Sequence, residues 1–469
     1  MAEPPTPSEH AHGELRVLLA VVSLSSFVTP FLGSSLNLAI PAIGRDLGAG
    51  VVALNWVVTA YLVASAACLL PFGRLADLVG RRRLFLVGTL GQAAFLLGAA
   101  ASRSVEVLVA LRLLQGIAGA MVFATAMAML VDAFPPAERG RVLGISTAAV
   151  YVGLSVGPVL GGVITQHLGW RAIFVLNGTL SLLLAALVAT RLRTGGRAAG
   201  PSRFDAASAL LYAGSLAATM GGLSTLRSHP AARWVLLAGL AGLAGFVVRQ
   251  LRVTEPLLDL RLFASPVFAF SNLAALLNYS ATFAVTFLLS LYLQVVRGLE
   301  AQVAGVVLLA QPIMMALLSP VAGRLSDRIE PRRVSSLGMA LTAAALALFA
   351  FLGEATPLAV VIGELVLIGV GFALFSSPNS NAVMGAVERR HYGVASATLG
   401  TMRLVGQALS MATVALIFAV FLGDAPVTVN AAPGLLAANR VAFALFAGLC
   451  AAGIFASLAR GRVHGTTRG

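Results

Sequence analysis

Charge is what this chain has least of. Only 11% of its 469 residues are Asp, Glu, Lys or Arg, where an average soluble domain carries about 25%, and lysine is missing altogether. With 58% hydrophobic residues and a mean hydropathy of +0.92, a water-soluble fold is excluded. Without lysine there is no GxxxxGK[ST] phosphate loop, which excludes an ATP-driven pump. The two cysteines, Cys68 and Cys450, both fall in apolar stretches, so neither a disulfide framework nor redox chemistry is indicated. The six histidines (His10, His12, His167, His229, His391 and His464) lie in tails or between apolar runs and form no HExxH pair. An enzyme, a metal site and a bound cofactor are therefore not expected.

What is present is a series of apolar runs, each long enough to cross the hydrocarbon core of a bilayer. They fall near residues 15–43, 54–72, 83–101, 106–131, 141–165, 170–190, 206–226, 233–251, 266–296, 301–322, 334–353, 357–380, 393–422 and 438–459. The expected fold is all-α, with 14 transmembrane helices. The first run follows the polar, Pro-rich Met1–Arg16 and exceeds a signal-peptide core, so it reads as a retained helix. An even number of spans puts both termini on one side. Arg16, Arg74, Arg81–Arg83, Arg139, Arg141, Arg324, Arg328, Arg389, Arg390 and Arg460 belong to that side. The other side holds only Arg45, Arg103, Arg171, Arg227, Arg233, Arg297 and Arg440. Counting every loop arginine, the bias is about three to one, which places both termini in the cytoplasm and the chain in the inner (plasma) membrane. The net charge of +14 is thus a loop-by-loop alternation, not a basic stripe with interleaved aromatics, and no nucleic-acid partner is expected.

A repeat divides the chain. Gly73–Arg83 (GRLADLVGRRR) and Gly323–Arg333 (GRLSDRIEPRR) share Gly, Arg, Leu, Asp and the closing Arg-Arg. Their spacing suits six spans plus an inserted pair. The expected layout is a tail at 1–14, a six-helix bundle at 15–191, a linker with two extra helices at 192–265, a second six-helix bundle at 266–459 and a tail at 460–469. Repeated halves around a midplane site are a common plan of alternating-access carriers.

Four motifs carry a resemblance. The first is the repeated loop, where glycines suit a tight turn, Asp77 suits a helix N-terminus, and Arg74 and Arg81 suit pairing with acids at neighbouring helix ends such as Asp132. The second is Arg112-Leu113-Leu114-Gln115-Gly116-Ile117-Ala118-Gly119-Ala120, whose Arg112, Gln115, Gly116 and Gly119 share one helix face. Arg112 either faces the bundle or snorkels to the nearer interface. The third is Gly153-Leu154-Ser155-Val156-Gly157-Pro158-Val159-Leu160-Gly161-Gly162, where Gly153, Gly157 and Gly161 make a smooth face and Pro158 removes a backbone bond; Gly169-Trp170-Arg171 follows it. The fourth is Asn37-Leu38-Ala39-Ile40-Pro41, followed by Trp56 and Tyr61.

From about Leu19 to Ala459 the sequence resembles the major facilitator superfamily, and within it the fourteen-spanner drug:proton antiporters. The resemblance implies a secondary transporter that exports small amphipathic or apolar compounds by alternating access in exchange for protons; the oligomeric state stays open, with a monomer favoured. Many cation-extruding members carry Asp five residues before the motif Asn; here that residue is Leu32. This departure favours somewhat the alternative of a dedicated exporter or facilitator of one metabolite, vitamin or lipid. The resemblance places the first, fourth, ninth and twelfth runs around a central cavity, with Asn37, Arg112, Asn278, Tyr279 and Glu364 on it. Gln115, Gln311, Arg403 and Gln407 are further mid-span candidates for substrate contact, though amides in bundles more commonly glue helices together. Glu364 is the one acid clearly inside a span. It is either the proton-carrying group, pairing with Arg112 in one conformation, or a residue of the outer vestibule with no transport role. Gly73, Arg74, Asp77, Arg81, Asp132, Gly157, Pro158, Gly161, Gly323 and Asp327 are the expected gating residues.

Overall fold

A computed structural model describes residues 9–192, 204–227, 229–254, 256–388, 392–423 and 432–461. These residues form sixteen α-helices: α1 (Glu9–Leu47), α2 (Val51–Val79), α3 (Arg81–Ala100), α4 (Val105–Ala133), α5 (Pro136–His167), α6 (Arg171–Arg191), α7 (Ala206–Ser224), α8 (Ala232–Gln250), α9 (Pro266–Thr282), α10 (Val285–Leu291), α11 (Ala301–Leu308), α12 (Ala310–Arg328), α13 (Pro331–Phe349), α14 (Leu358–Gly385), α15 (Tyr392–Phe421) and α16 (Ala432–Ala459). α9, α10 and the π-turn Tyr292–Val296 continue one another as a single span, and α11 and α12 form another. Fourteen long units result. Pro312 accounts for the break at Leu309, because it cannot donate to the carbonyl four residues back and its ring crowds that carbonyl.

Thirteen of the units are long and apolar enough to cross a membrane. The exception to the expected fourteen is α13, whose first turns carry Arg332, Arg333, Ser335 and Ser336 and so dilute its hydropathy. It is nonetheless packed between α14 and α16, with Met339, Leu346 and Phe349 fully buried. Several helices outrun the apolar runs that mark them. α1 starts at Glu9, inside the expected tail, and α12 continues to Arg328.

Small residues set the helix pairs. α1 lies against α5, where Cβ atoms at Gly153, Gly157 and Gly161 would stand 2.6 Å from the Phe27 carbonyl oxygen, 1.8 Å from Ser34 Oγ and 2.5 Å from Ser35 Cα. Only glycine permits that approach, which lets Ser35 Oγ donate to the Gly157 carbonyl at 2.9 Å. Gly116 brings α4 onto α2 in the same way, 2.4 Å from the Tyr61 carbonyl oxygen. In the second half, α14 packs on α12 and α13, and α9 packs on α15 and α16. α7 and α8 pair with each other, and α7 also touches α2 and α15.

The face where α1 begins and α16 ends is called here the terminal face; the other is the far face. At the far face the two halves are tied. Ser290 Oγ donates to the Asn37 carbonyl at 2.6 Å, Gln294 Nε2 to the Leu38 carbonyl at 3.2 Å, and Gln166 Nε2 to Glu300 Oε2 at 2.8 Å. α5 and α11 meet there backbone to backbone, since a Cβ on Gly305 would lie 2.2 Å from the Pro158 carbonyl oxygen and one on Gly162 would lie 2.5 Å from that of Ala301.

A polar latch closes α7 onto α8 at the terminal face. Asp205 caps α7, accepting from Ser208 N–H at 3.0 Å, and Arg249 Nη2 reaches both Asp205 oxygens at 2.8 and 3.0 Å. Gln250 extends the latch, donating to Ser208 Oγ and accepting from the N–H groups of Leu257 and Leu258. The Arg249 hydrogen bonds, helped by those from Ser208, hold the Asp205 carboxyl down at about 2, against an ordinary value of 3.8. A depressed carboxyl contributes stability above its ordinary value and loses it only as pH falls through the folded value. The stability difference between the protein and Asp205→Asn is therefore expected to stay constant from about pH 7 to about pH 4.5 and to shrink only below that. Thermal unfolding of both proteins across this range checks it.

Candidate functional site

The loop motif lies differently from the sequence expectation. Gly73 sits within α2 and Gly323 within α12, so neither makes the turn. The turn is the single residue Gly80, at φ 95°, between α2 and α3. Asp77 caps no helix; at the N-cap position of α3, Gly80 supplies no side chain. Instead Asp77 accepts from Arg81, with Nη2 at 2.9 Å and Nε at 3.2 Å. Arg81 also donates to Asp132 and, at 3.2 Å, to the Ala128 carbonyl. Asp132 occupies the last turn of α4, where the helix dipole disfavours an anion, so one guanidinium offsets two unfavourable charges. Arg82 donates to the Val188 carbonyl at the end of α6 at 3.2 Å. In the second copy Pro331 stands where Arg81 does, so this clamp has no counterpart there. There Asn381 Nδ2 donates to Ser326 Oγ at 2.8 Å instead, joining α14 to α12, and Gly323 approaches Ser377. The side chain of Asp327 lies outside the described residues.

Arg112 is 2% exposed, which removes the snorkelling alternative. Its Nε donates to the Val57 carbonyl at 2.9 Å, its Nη1 donates to Gln115 Oε1, and its guanidinium stands 4.7 Å from the Tyr61 ring centroid. Arg112 and Gln115 thus lock α4 to α2. They do not meet Glu364, which is buried in α14 with Oε2 unpartnered. Gly371, seven residues on and nearly the same angle around the helix, lies against Gly338 and Thr342 of α13. Glu364 accordingly occupies the strip of α14 that faces α13, apart from Arg112 in this conformation.

The mid-span residues that do come together are Tyr279, Arg403, Phe372, Tyr151 and Ser319. Arg403, the twelfth residue of the 30-residue α15, lies 5.3 Å over the Tyr279 ring. Phe372 of α14 meets the same ring edge-on, with centroids 5.6 Å apart. Tyr151, halfway along α5, crosses to the other half, where its hydroxyl is 3.2 Å from Ser319 Oγ of α12. Tyr151 also lies within electrostatic reach of Tyr279 and Arg403. Other candidates stand apart. Asn278 is fully buried against α16, with Cys450 Sγ 3.9 Å from its Oδ1. Asn37 is buried with Oδ1 unpartnered beside the far-face tie. Gln311 and Gln407 are buried, and the Gln311 backbone is a close neighbour of Gly369.

Two features escaped sequence reasoning. Tyr151 and Phe372 carry no motif, and nothing in the sequence singled them out. Arg460, assigned to the terminal tail, is 0% exposed and donates to Asn379 Oδ1 at 2.9 Å and Ser271 Oγ at 3.3 Å, pinning the end of α16 to α14 and α9. Gly153–Gly157 has the letters GxSxG, but it lies within the continuous helix α5, not at the strand-to-helix turn a nucleophile elbow needs.

Fourteen long helical units, thirteen of them long and apolar enough to cross a membrane, define a multi-pass membrane protein. The Major Facilitator Superfamily profile matches residues 22–411 and 271–466, and the chain belongs to that family. It is 31% identical over 409 residues to the riboflavin transporter RibZ of Clostridioides difficile, covering 86% of this chain and 88% of that one. It is 32% identical over 433 residues to the tetracenomycin C resistance and export protein of Streptomyces glaucescens, covering 89% and 79%. The crystal structure of a bacterial homolog of the human lysosomal transporter Spinster has the same fold, with a TM-score of 0.69 at 16% identity over 97% of this chain and 98% of that one. The protein is a small-molecule transporter of the plasma membrane, not an enzyme.

The Arg81 clamp is part-exposed, with Asp77 at 35% and Asp132 at 49%, so its stability value is small. Asp77→Asn is expected to change unfolding stability by less than about 1 kcal/mol while impairing transport. Thermal unfolding and vesicle uptake measured on one preparation check this; wild-type uptake would contradict it.

Proposed function

We propose that this protein is a proton-coupled exporter of small amphipathic or apolar compounds, of the fourteen-spanner drug:proton antiporter type. In this reading both termini are cytoplasmic. α1–α6 and the helices from α9 onward form two six-span bundles (15–191 and 266–459), and α7–α8 are an inserted pair within the linker 192–265. The observation that carries the reading is the far-face tie around Asn37, Ser290, Gly162 and Gly305 above a mid-span cluster that spans both halves. A carrier needs such a seal on one side of a central site, and a pathway to the other side.

The arginine bias supports cytoplasmic termini, so the conformation described is sealed toward the outside. The glycine seam Gly153, Gly157 and Gly161, with Pro158, supports a hinge between α1, α5 and α11. The Arg81–Asp77–Asp132 clamp supports a role for the motif in holding one conformational state, and Arg74, Gly323 and Asp327 belong to the same motif pair. Proton coupling is assigned first to Glu364, because it is the one carboxyl clearly inside a span rather than near a span's end and one of its oxygens is buried without a partner. Arg112, engaged with Val57 and Gln115, acts in this reading only if it is released in another conformation. Gln311, Gln407, Asn37 and Asn278 serve helix packing as much as substrate contact.

A dedicated exporter of one metabolite is the second reading, favoured by Leu32 at the place of an acid and by the match to a riboflavin transporter. Export-type names among the relatives favour the first.

In proteoliposomes with an imposed pH difference, Glu364→Gln is expected to lose uphill export while keeping substrate exchange, because glutamine keeps the shape and cannot ionise. Uphill accumulation by Glu364→Gln would remove Glu364 from the coupling role.

A further inference from the structure

We infer that the mid-span site takes organic anions with a planar aromatic body, Arg403 receiving the anionic group. The inference rests on the transporter reading above and adds the chemical class of its substrate. Arg403 is half-buried midway along α15 and forms no ion pair or hydrogen bond with the described residues; its guanidinium stands over the face of Tyr279, at 5.3 Å. A π face compensates a cation less fully than a carboxylate does, and it leaves the N–H edge of the guanidinium free. That edge matches a carboxylate, sulfonate or phosphate in a two-pronged hydrogen-bonded pair.

The other cations inside the spans do not offer this. Arg112 spends Nε and Nη1 on Val57 and Gln115 and is sealed from the interior space. Arg460 lies at the end of α16, fully buried on Asn379 and Ser271. The in-span carboxyl, Glu364, sits on the α13-facing strip toward the far face, so no fixed anion among the described residues pairs with Arg403. The site is electropositive, which attracts an organic anion and repels an organic cation.

The walls specify the rest of the ligand. Tyr279 and Phe372, edge to face, supply an apolar aromatic surface for a flat ring. Tyr151 and Ser319 bring hydroxyls to one side that can donate to or accept from ring substituents. Because Tyr151 comes from the first half and the other groups from the second, a bound ligand bridges both halves.

The test uses two dyes that share a flat xanthene body and differ in charge, the anion carboxyfluorescein and the cation rhodamine 123. Their binding to the full-length, purified protein is followed by fluorescence anisotropy. Carboxyfluorescein is expected to bind at least about tenfold more tightly than rhodamine 123, to weaken with added salt, and to lose about tenfold in Arg403→Gln, as the loss of one charged hydrogen-bonded pair implies. Arg403→Lys is expected to recover part of that loss, because it keeps the charge without the flat fork. Equal or tighter binding of rhodamine 123 to the unaltered protein overturns the inference without recourse to any variant. So does binding of neither dye, or an Arg403→Gln affinity for carboxyfluorescein within twofold of the original. Proteoliposome flux separates this inference from the reading beneath it. Selective binding with no dye movement under any gradient removes export and leaves the anion site. Equal movement of both dyes removes the anion site and leaves the transporter.

Discussion

The hydrocarbon interior of a bilayer supplies no hydrogen-bond partners, and the architecture of this protein follows from that constraint. Most polar side chains within the spans satisfy it locally, by returning to a carbonyl of their own helix. Ser34 donates to the Pro30 carbonyl at 2.8 Å, Thr125 to that of Met121 at 2.7 Å, and Thr342 to that of Gly338 at 3.0 Å. Groups too long or too charged for this need partners on other helices. Arg112 takes one from α2, and Arg460 takes two from α9 and α14. Among the described residues well inside the spans, Arg403 and Glu364 are the charged groups left without such partners, and they are the natural places to look for substrate and proton.

Close backbone approach is the second consequence. Where side chains cannot gain from excluding water, helices associate through van der Waals contact, and small residues bring backbones together. Along α5 the two sides of one helix use this differently. Gly153, Gly157 and Gly161 seat α1 in the same half, while Gly162 and Pro158 meet α11 of the other half. In the proposed carrier, a smooth seam on both sides would let α5 stay joined to α1 while its contact with α11 opens.

Much of this was legible in the sequence. Apolar run length revealed the spans because a bilayer imposes one length on every helix, and the glycines four apart in α5 announced a close helix neighbour. The misreadings have physical causes. α13 falls short of a span by hydropathy because its charged first turn belongs to the interface, yet it is packed like its neighbours. Gly73 looked like a turn residue because it stands beside Arg74, whereas α2 runs on for two turns to Gly80. Arg460 looked exposed because a run's apolar count ends before it, but Asn379 and Ser271 receive it from distant parts of the chain. Side-chain direction was the least accessible quantity. Glu364 and Phe372 are both in α14, and only the tertiary packing of Gly371 and Tyr279 tells which strip each occupies.

The central claim is that the two halves move about the mid-span cluster, breaking the far-face tie. Distances between spin labels in lipid nanodiscs test it directly. One pair would sit at Leu168 and Val303, both exposed and on opposite sides of the α5–α11 contact. A second pair would sit at Val79 and Ile329, exposed at the terminal ends of α2 and α12. As pH is changed across the range where a buried carboxyl titrates, the account expects the far-face distance to lengthen while the terminal-face distance shortens, each as a shift between two populations. Distances at both faces that stay single-valued and unchanged, in a preparation that transports, would contradict it.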